Sequence, residues 1–244
     1  YDKWTRAKSA VDAGMDLVWV LNNDTQVPPD CLGALVHTLQ EDLGIGAVSA
    51  KIWFLDAAKP LCYAGAICHP WTFEVIWRGM REPDAGQYDI PEDTGVLTGC
   101  CMLIRAEVLR DIGLFNKAFF IYGEDVEWSQ RAVERGIRLR YEPRAALWHK
   151  MFGSAVKGGG RVIPKSSPRV EYLVARNFIL RVRLHTRPWG IRRLVALGRF
   201  MLVRRIPRSL ALLLLPSRRA AGWAGLKGLW AGLWIEPDPR DCRV

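Results

Sequence analysis

The chain has 244 residues, of which 50% are hydrophobic and 25% are charged. This length and composition fit one globular domain of ordinary size with an appendage, and they exclude an intrinsically disordered chain. The sequence opens at Tyr1 without a charged and apolar leader, so we expect no signal peptide. Its six cysteines form no CxxC pair, which predicts reduced, buried thiols in a cytosolic protein rather than a zinc site.

The net charge of +10 is unevenly distributed along the chain. Arg169 to Ile235 contains fourteen Lys or Arg residues and one Glu, which gives this stretch +13 and leaves −3 for the rest. A slightly acidic body with a strongly basic C-terminal tail indicates an anionic partner for the tail, either a membrane surface or a nucleic acid.

The first predicted elements form a strand–helix–strand unit. Thr5 to Ala13 are predicted to be the end of a helix. The apolar run from Asp16 to Leu21 then has the pattern of a strand buried on both faces, as in a parallel sheet. Pro28 and Pro29 open a helix with one apolar face, and Ile45 to Phe54 is the next predicted strand. This order predicts an α/β sheet.

The middle of the chain predicts shorter elements. Leu61 to Gln87 is rich in Gly, Trp and Pro and predicts short strands and a loop over one face of the sheet. The further predicted elements are a turn and strand over Thr94 to Ile104, helices over Ala106 to Ile112 and Val126 to Arg135, short strands over Leu139 to Tyr141 and Ala145 to Trp148, and a loop over Phe152 to Pro168.

From Val170 onward the pattern changes to helices with dense arginines. The most apolar run, Leu210 to Leu215, is far shorter than the ~20 residues that a membrane-spanning helix needs. Two interpretations stay open: helices that lie on a membrane surface, or helices docked on the body with solvated basic faces. We predict a main domain over residues 1–168 and a basic, apolar helical tail over 169–244.

Polar side chains follow the first predicted strand directly, in Asn22, Asn23 and Asp24. Ligands of open α/β sheets bind at the carboxyl ends of strands, and a carboxylate there can hold Mg²⁺ or Mn²⁺ together with a diphosphate. Such an ion neutralises the charge that develops on a diphosphate leaving group. A turn that caps the following helix explains the same residues without any ligand.

Two further positions are candidates for chemistry. Glu124 and Asp125 open a predicted helix, where a carboxylate can accept the proton of an attacking hydroxyl group, although acids at a helix start also serve as simple caps. His149 follows a short predicted strand. A lone histidine is more often structural, but together with an aspartate at another strand end it makes a mixed nitrogen and oxygen metal site.

The sequence resembles glycosyltransferase family 2 in four ordered motifs between Val18 and Lys150, with weaker similarity around Arg176 and Asn177. The motifs are LNNDT, TGCCMLIR, GLFNKAFFIYGEDVEWSQRA and LWHK. The most similar subgroup is the rhamnosyltransferase-like members that build bacterial surface polysaccharides. The resemblance implies a GT-A fold, in which a mixed α/β sheet flanked by helices binds a nucleotide sugar.

The resemblance also assigns roles to single residues. Asp24 matches the metal-holding acid of the family's DXD motif, and His149 matches a histidine that completes the Mg²⁺ or Mn²⁺ site. Asp125 matches the catalytic base of the ED motif, with Glu124 beside it. Asn22 stands where many members have the first Asp, which implies fewer metal ligands. The residues expected to contact the donor or the acceptor are Asn22, Asn23, Thr98, Gly99 and Trp128.

The implied reaction is inverting transfer by direct displacement. One candidate base and no obvious Ser or Cys nucleophile in the sequence agree with it. The QxxRW motif of processive members is absent downstream, so we expect one sugar per encounter. The expected donor is dTDP-rhamnose or a UDP sugar, and the expected acceptor is a glycan or a lipid-linked molecule. The expected place is the cytoplasm, and the membrane-surface interpretation of the tail would put the chain at the inner face of the cell membrane.

The chain departs from the family at its start. Members usually have several strands and helices before the DXD strand, and here only Tyr1 to Met15 precede it, which implies an N-terminally truncated domain. An alternative hypothesis is therefore a catalytically incompetent fragment that acts as a binding or scaffold protein. The basic tail leaves a nucleic-acid-binding protein as a third hypothesis, which the lack of a recognised nucleic-acid module disfavours.

Overall fold

The structure is a computed structural model, and it describes residues 3–55, 60–150 and 167–236. Its strands are β1 (Leu17–Leu21), β2 (Thr25–Gln26), β3 (Ile45–Phe54), β4 (Leu61–Tyr63), β5 (Ala66–Cys68), β6 (Val75–Trp77), β7 (Glu92–Asp93), β8 (Cys101–Arg105) and β9 (Arg138–His149). Its α-helices are α1 (Lys3–Asp12), α2 (Cys31–Glu41), α3 (Ala106–Ile112), α4 (Glu124–Glu134), α5 (Pro168–Leu184), α6 (Ile191–Gly198), α7 (Ile206–Leu214) and α8 (Arg219–Trp234). A π-helical segment, Arg199–Arg205, joins α6 to α7.

The central sheet is mixed. The strands β1, β8, β3, β9 and β2 lie side by side in that order, β4 pairs with β3, and β7 pairs with β9. β3 and β9 run parallel, whereas β8 is antiparallel to both of its neighbours, β1 and β3. β1 and β3 therefore run in the same direction, as a strand–helix–strand unit requires, but β8 separates them. The predicted mixed α/β sheet flanked by helices is confirmed.

Hydrophobic clusters cover both faces of this sheet. Side chains of β8 alternate between them: Leu103 belongs to the cluster that contains Leu35 of α2, and Ile104 belongs to the cluster that contains Leu109 of α3 and Trp128 of α4. This alternation follows from the two-residue period of a strand. β3 is buried at nearly every position, so it lies at the centre of the core.

Two strands differ from the prediction. Val18 and Val20 of β1 are buried, but the alternate residues are only half-buried, because β1 lies at the edge of the sheet and, within the described residues, pairs with β8 alone. β9 is one strand where two were predicted. Its pairing with β3 is interrupted by a register shift between Glu142 and Ala146, because Pro143 has no N–H to donate to the ladder. After this shift the chain pairs with β3 again, so the two predicted strands form one.

Helix α5 attaches the C-terminal helices to the sheet domain. It begins at Pro168, after Ser167, whose hydroxyl accepts a hydrogen bond from Val170 N. The buried side chains of Asn177 and Arg181 donate to backbone carbonyls of the body. Of the predicted loop over 152–168, all but the last two residues lie outside the described residues.

Helix α8 packs against α5 and α7 through glycines. A Cβ atom on Gly228 would overlap the carbonyl oxygen of Tyr172, and one on Gly232 would lie 2.8 Å from the carbonyl oxygen of Arg176. Each glycine in a helix interior costs about 1 kcal/mol relative to alanine. The close approach of the two backbones must therefore compensate for this cost.

A buried histidine joins the end of α5 to α4. His185 Nδ1 lies 2.7 Å from Glu134, and Nε2 lies 3.5 Å from Glu127, which also pairs with Arg131. Burial alone lowers the pKa of His185, but the two carboxylates outweigh it, so the net pKa is raised above its ordinary value. The protonated imidazole thus stabilises the contact between α5 and α4.

We expect the Gly228→Ala substitution to lower the free energy of unfolding by about 1–3 kcal/mol, because the added methyl group forces α8 away from α5. Gly33→Ala is the matched control: its Cβ would meet no atom within 4 Å inside α2, so this variant should gain up to about 1 kcal/mol. Urea denaturation of both variants measures the difference. Equal stabilities would contradict the close α5–α8 contact.

The raised pKa of His185 predicts how stability depends on pH. Because the folded-state pKa lies above that of the unfolded chain, the contribution is fully present below about pH 6.5 and is lost as the pH rises through the folded-state value. His185→Gln should therefore flatten the alkaline side of the stability profile measured by urea denaturation. His37→Gln, which removes an exposed pair with Glu41, should leave that profile unchanged.

Candidate active site

Several strand ends meet around one cavity. The carboxyl end of β1 pairs with the amino end of β8, and β9 ends beside the end of β3. The cavity at this place has a volume of about 660 Å³, within the usual range for small-molecule sites. The predicted site residues that line it are Asn22, Asn23, Asp24, Thr98, Gly99, Glu124, Asp125 and His149.

Pairing between β2 and β9 brings Asp24 to His149. Thr25 lies opposite His149 in the antiparallel register, and Lys150 N donates to Asp24 O at 2.9 Å. As a result, His149 Nε2 lies 2.9 Å from Asp24 Oδ1. The His149 side chain is 5% exposed and that of Asp24 is 45% exposed, so the imidazole is fixed by burial while the carboxylate faces solvent.

The loop before β8 contacts both halves of the site. Asn22 N donates to Cys100 O at 3.2 Å, which ties the loop to the end of β1. Cys100 Sγ lies 3.4 Å from His149 Nδ1. On the other side of the loop, Gly99 N donates to Asp125 Oδ2 at 2.7 Å. This one loop therefore sets the position of the Asp24–His149 pair relative to Asp125.

Asp125 is held in the first turn of α4. Its second oxygen, Oδ1, accepts from Val126 N at 2.8 Å. Glu124 is buried beside it and also lines the cavity. Both acids lie at the positive end of the helix dipole, which is a favourable position for an acidic side chain. Two backbone donors fix the orientation of the Asp125 carboxylate, and its remaining lone pairs can accept a hydrogen bond from a further donor.

The turn before α4 is strained and is held from behind by α5. Phe120 and Tyr122 have φ angles of 61° and 70°, in the left-handed region that non-glycine residues rarely occupy. Asn177 Nδ2 donates to the carbonyls of Ile121 and Tyr122 at 2.8 and 2.7 Å, and Arg176 donates to Ala118 O at 2.6 Å. The similarity around Arg176 and Asn177 therefore has a physical basis, because these residues support the turn that presents Asp125.

The structure does not bring Trp128 to the cavity, and its expected contact with donor or acceptor is corrected. Its side chain is fully buried, packs against Phe115 and donates from Nε1 to Gly113 O at 3.1 Å. Only the first turn of α4 reaches the cavity. Trp128 lies one turn further along, where the helix packs against the chain after α3.

Sequence reasoning did not find most of the apolar wall of the cavity. These lining residues are Cys62, Tyr63, Trp77, Met80, Cys100, Phe120, Ile121 and Tyr122. Several come from the segment over 61–87, which has no helical or strand period, so no pattern in the sequence indicated which side chains point inward. Its aromatic content in a segment predicted to cover the sheet was the available signal.

The Asp24–His149 pair fits a divalent cation. Adjacent ligands of an octahedral ion, each about 2.1 Å from the metal, lie about 3.0 Å apart, and the two side-chain atoms lie 2.9 Å apart. The Asp24 carboxylate oxygen suits Mg²⁺ or Mn²⁺, and the His149 imidazole nitrogen, a softer ligand, favours Mn²⁺ of the two. The described residues contain no group of three or more His, Cys, Asp or Glu side chains with metal-binding geometry. A bound ion would therefore take its other ligands from a diphosphate and water.

Comparison with known proteins identifies the family. A family model described as "Glycosyltransferase like family 2" matches residues 2–177. The chain belongs to this glycosyltransferase family. The match includes the sheet, the cavity and the first part of α5, so the resemblance seen in the four motifs is confirmed.

This glycosyltransferase family member is also similar to curated bacterial proteins. It is 29% identical over 147 residues to the O-antigen biosynthesis protein RfbC of Myxococcus xanthus, covering 58% of this chain and 11% of that protein. It is 28% identical over 131 residues to the dTDP-rhamnosyl transferase RfbF of Shigella flexneri, covering 53% and 42%. It is 27% identical over 151 residues to the N-acetylglucosaminyl-diphospho-decaprenol L-rhamnosyltransferase of Mycobacterium tuberculosis, covering 55% and 47%. The chain spans less than half the length of each of these relatives.

Two solved structures are distantly similar. GalNAc-T7 with UDP, GalNAc and Mn²⁺ is 18% identical with a TM-score of 0.46, covering 81% of this chain and 40% of that one. The mannosyltransferase PcManGT of Pyrobaculum calidifontis with GDP-Man and Mn²⁺ is 14% identical with a TM-score of 0.47, covering 96% and 67%. Similarity at this level is too low to transfer a ligand or a residue role.

The metal pair predicts a direct binding result. In calorimetric titrations with UDP and dTDP, with and without Mn²⁺, we expect Asp24→Asn and His149→Gln each to weaken the Mn²⁺-dependent part of binding by about tenfold or more. Asp30→Asn, an exposed acid at the start of α2 outside the cavity, is the matched control and should bind normally. Unchanged Mn²⁺-dependent binding in both site variants would exclude this pair as the metal site.

Proposed function

We propose that this chain is an inverting, non-processive glycosyltransferase that moves a sugar from a nucleoside-diphosphate donor to a hydroxyl of a glycan or lipid-linked acceptor. The observation that carries the proposal is that one cavity is lined both by a pair of side chains that fits a metal ion and by an oriented carboxylate. The Asp24–His149 pair, which fits a divalent cation, and the Asp125 carboxylate, which is oriented by two backbone N–H groups, both line it. Family membership supports the same reaction class.

Asp24 and His149 would hold Mg²⁺ or Mn²⁺ at the donor side of the cavity. When bound, the ion neutralises charge on the diphosphate leaving group. Asn22 lies 3.4 Å from His149 Nε2 through its side-chain nitrogen, and Asn23 lines the same wall. We assign both to donor contacts, together with Thr98 and Gly99 of the loop before β8.

Asp125 is the proposed general base. A sugar hydroxyl is a weak nucleophile, so its proton must be accepted as the oxygen attacks the anomeric carbon. The Asp125 carboxylate accepts hydrogen bonds from Gly99 N and Val126 N, which hold it in place while it takes that proton. Among the cavity thiols, burial raises the pKa of Cys62 to about 12, so this cysteine is protonated at neutral pH and is a poor nucleophile. This supports direct displacement.

The proposed donor is dTDP-rhamnose, with UDP sugars as the next choice. The name of the Shigella relative gives dTDP-rhamnosyl transfer, and the name of the mycobacterial relative gives a lipid-linked diphosphate acceptor. Trp77, Met80 and Phe120 form an apolar part of the cavity wall, which suits stacking against the apolar face of a sugar ring. We further propose that residues 1–168 form the catalytic domain, that 169–244 form the helical appendage, and that the reaction takes place in the cytoplasm.

A second candidate function is a binding or scaffold protein without turnover. The chain spans less than half the length of the curated relatives that it matches, so groups used by those proteins for the nucleotide can lie outside the shared part. Titration with dTDP and UDP in the presence of Mn²⁺ separates the two functions. Nucleotide binding followed by sugar transfer supports the enzyme, and a folded chain without nucleotide binding supports the scaffold.

The base assignment predicts that Asp125→Asn lowers kcat by about 10²–10⁴-fold, because the amide cannot accept the proton. The affinity for dTDP should stay within about threefold of the unsubstituted chain, since the change is isosteric and leaves both members of the metal pair in place. Release of dTDP from dTDP-rhamnose is measured with N-acetylglucosaminyl-diphospho-decaprenol as acceptor.

Asp111→Asn is the control for this experiment, because Asp111 is an exposed acid of α3 that does not line the cavity. It should retain full turnover. Near-normal turnover of Asp125→Asn would show that another group is the base.

A further inference from the structure

Helix α8 exposes tryptophans and buries glycines. Trp223, Trp230 and Trp234 are 58%, 66% and 66% exposed, and Lys227 is exposed between them. These four residues recur at intervals of four, three and four, so they lie along one side of the helix; we name them the tryptophan face. A helix of a globular protein normally points its large apolar side chains toward the core. α8 does so with Leu226, Leu229 and Leu233, but its three tryptophans stay outside.

The glycine side explains why the tryptophans cannot turn inward. Gly222, Gly225, Gly228 and Gly232 meet the backbones or side chains of α5 and α7, with no room for a Cβ atom. Any rotation of α8 that buried an indole would replace these contacts with large side chains. The outward position of the tryptophans is therefore built into the packing and is not a loose surface arrangement.

The neighbouring helices also expose large apolar residues. Leu210 and Leu214 are exposed one turn apart on α7, and Trp189 before α6 is 86% exposed. The other exposed large apolar residues of the segment between them are Ile191, Leu194, Val195, Leu202 and Val203. Scattered single apolar residues on a surface need no explanation, but repetition at helical spacing indicates a surface that contacts something.

The described C-terminal helices contain few acidic residues, and these are paired with arginines. Glu171 is buried between Arg205 and Arg208, with ion pairs of 2.6 and 2.8 Å. Glu236 pairs with Arg183 at 3.0 Å. The acids of the described C-terminal helices are therefore neutralised locally. Glu74 of the body pairs with Arg199 and Arg204, and the other Arg and Lys residues leave this segment with an excess of positive charge that attracts anions.

We propose that the tryptophan face docks α8, in the plane of the interface, on the surface of an anionic lipid bilayer. Indole rings favour the headgroup level, and Lys or Arg side chains favour anionic headgroups. None of the helices that the structure describes combines the length and the apolar character that crossing a bilayer requires, so attachment is interfacial. The proposal does not depend on sugar transfer, but it would place the cavity near a lipid-linked acceptor.

A second copy of the chain and a nucleic acid each match this surface less well than a lipid bilayer does. A second copy would bring two positively charged faces together, which opposes a symmetric dimer. A nucleic acid would use the cations, but Leu210 and Leu214 offer it no contact. A lipid surface can contact all three kinds of residue: the indoles, the leucines and the cations.

Co-sedimentation of the full chain with phosphatidylcholine vesicles, with and without phosphatidylglycerol, tests the proposal. We expect binding that requires phosphatidylglycerol and weakens in high salt. The triple variant Trp223→Ser, Trp230→Ser and Trp234→Ser should lower the partition constant by about tenfold or more. Lys227→Gln, which leaves the apolar contacts intact, should lower it roughly fivefold.

The matched control is Leu43→Ser with Ile90→Ser, which removes two exposed apolar residues from the sheet domain and should bind vesicles normally. Absence of vesicle binding by the unsubstituted chain would overturn the proposal, as would equal losses in the control and the triple variant. Dimers that dissociate in the triple variant without any vesicle binding would instead assign the face to a second copy. Salt-sensitive binding to a DNA duplex in place of vesicles would assign it to nucleic acid. Melting curves establish that each variant is folded.

Discussion

The position of β8 is the constraint on which the candidate site depends. This strand enters the sheet antiparallel between β1 and β3, so its amino end, and the loop of Thr98 to Cys100 before it, lie at the carboxyl end of β1. Backbone groups of that loop then reach Asn22 on one side and Asp125 on the other. If β1 and β3 were direct neighbours, nothing in this arrangement would join the Asp24–His149 pair to Asp125. The position of the proposed metal pair relative to the proposed base thus follows from strand order.

Helix α5 connects the C-terminal helices to the same site. Asn177 and Arg176 donate to carbonyls of the turn before α4, and that turn holds two non-glycine residues at positive φ. Strained backbone of this kind persists only where surrounding contacts fix it, and such positions often belong to functional sites. The helical segment is therefore a support for the proposed base as well as a candidate membrane contact.

The two faces of α8 have different roles: the glycine side packs against α5 and α7, and the tryptophan face points outward. Its glycines weaken the helix on its own but let it approach α5 closely, and the same packing directs the tryptophans outward. The basic charge of this region was visible from the composition. The position of the exposed apolar residues was not visible from the sequence. Arginines are spread around much of the circumference of the preceding helices, and the exposure of the tryptophans depends on which side of α8 packs against the rest of the protein.

The sequence by itself determined the fold class, the order of the main strands and helices, and eight of the residues around the cavity. Short-range patterns were sufficient for the elements and for the polar residues at their ends, because burial period and polar residues at the ends of strands and helices are local properties. Thr98 and Gly99 were expected only from the family resemblance. Only the tertiary structure decided that β8 separates β1 from β3, that Trp128 is a core residue, and that Tyr63, Trp77 and Met80 line the cavity. The physical reason is that strand neighbours and the inward side of irregular segments are fixed by contacts between residues far apart in the chain.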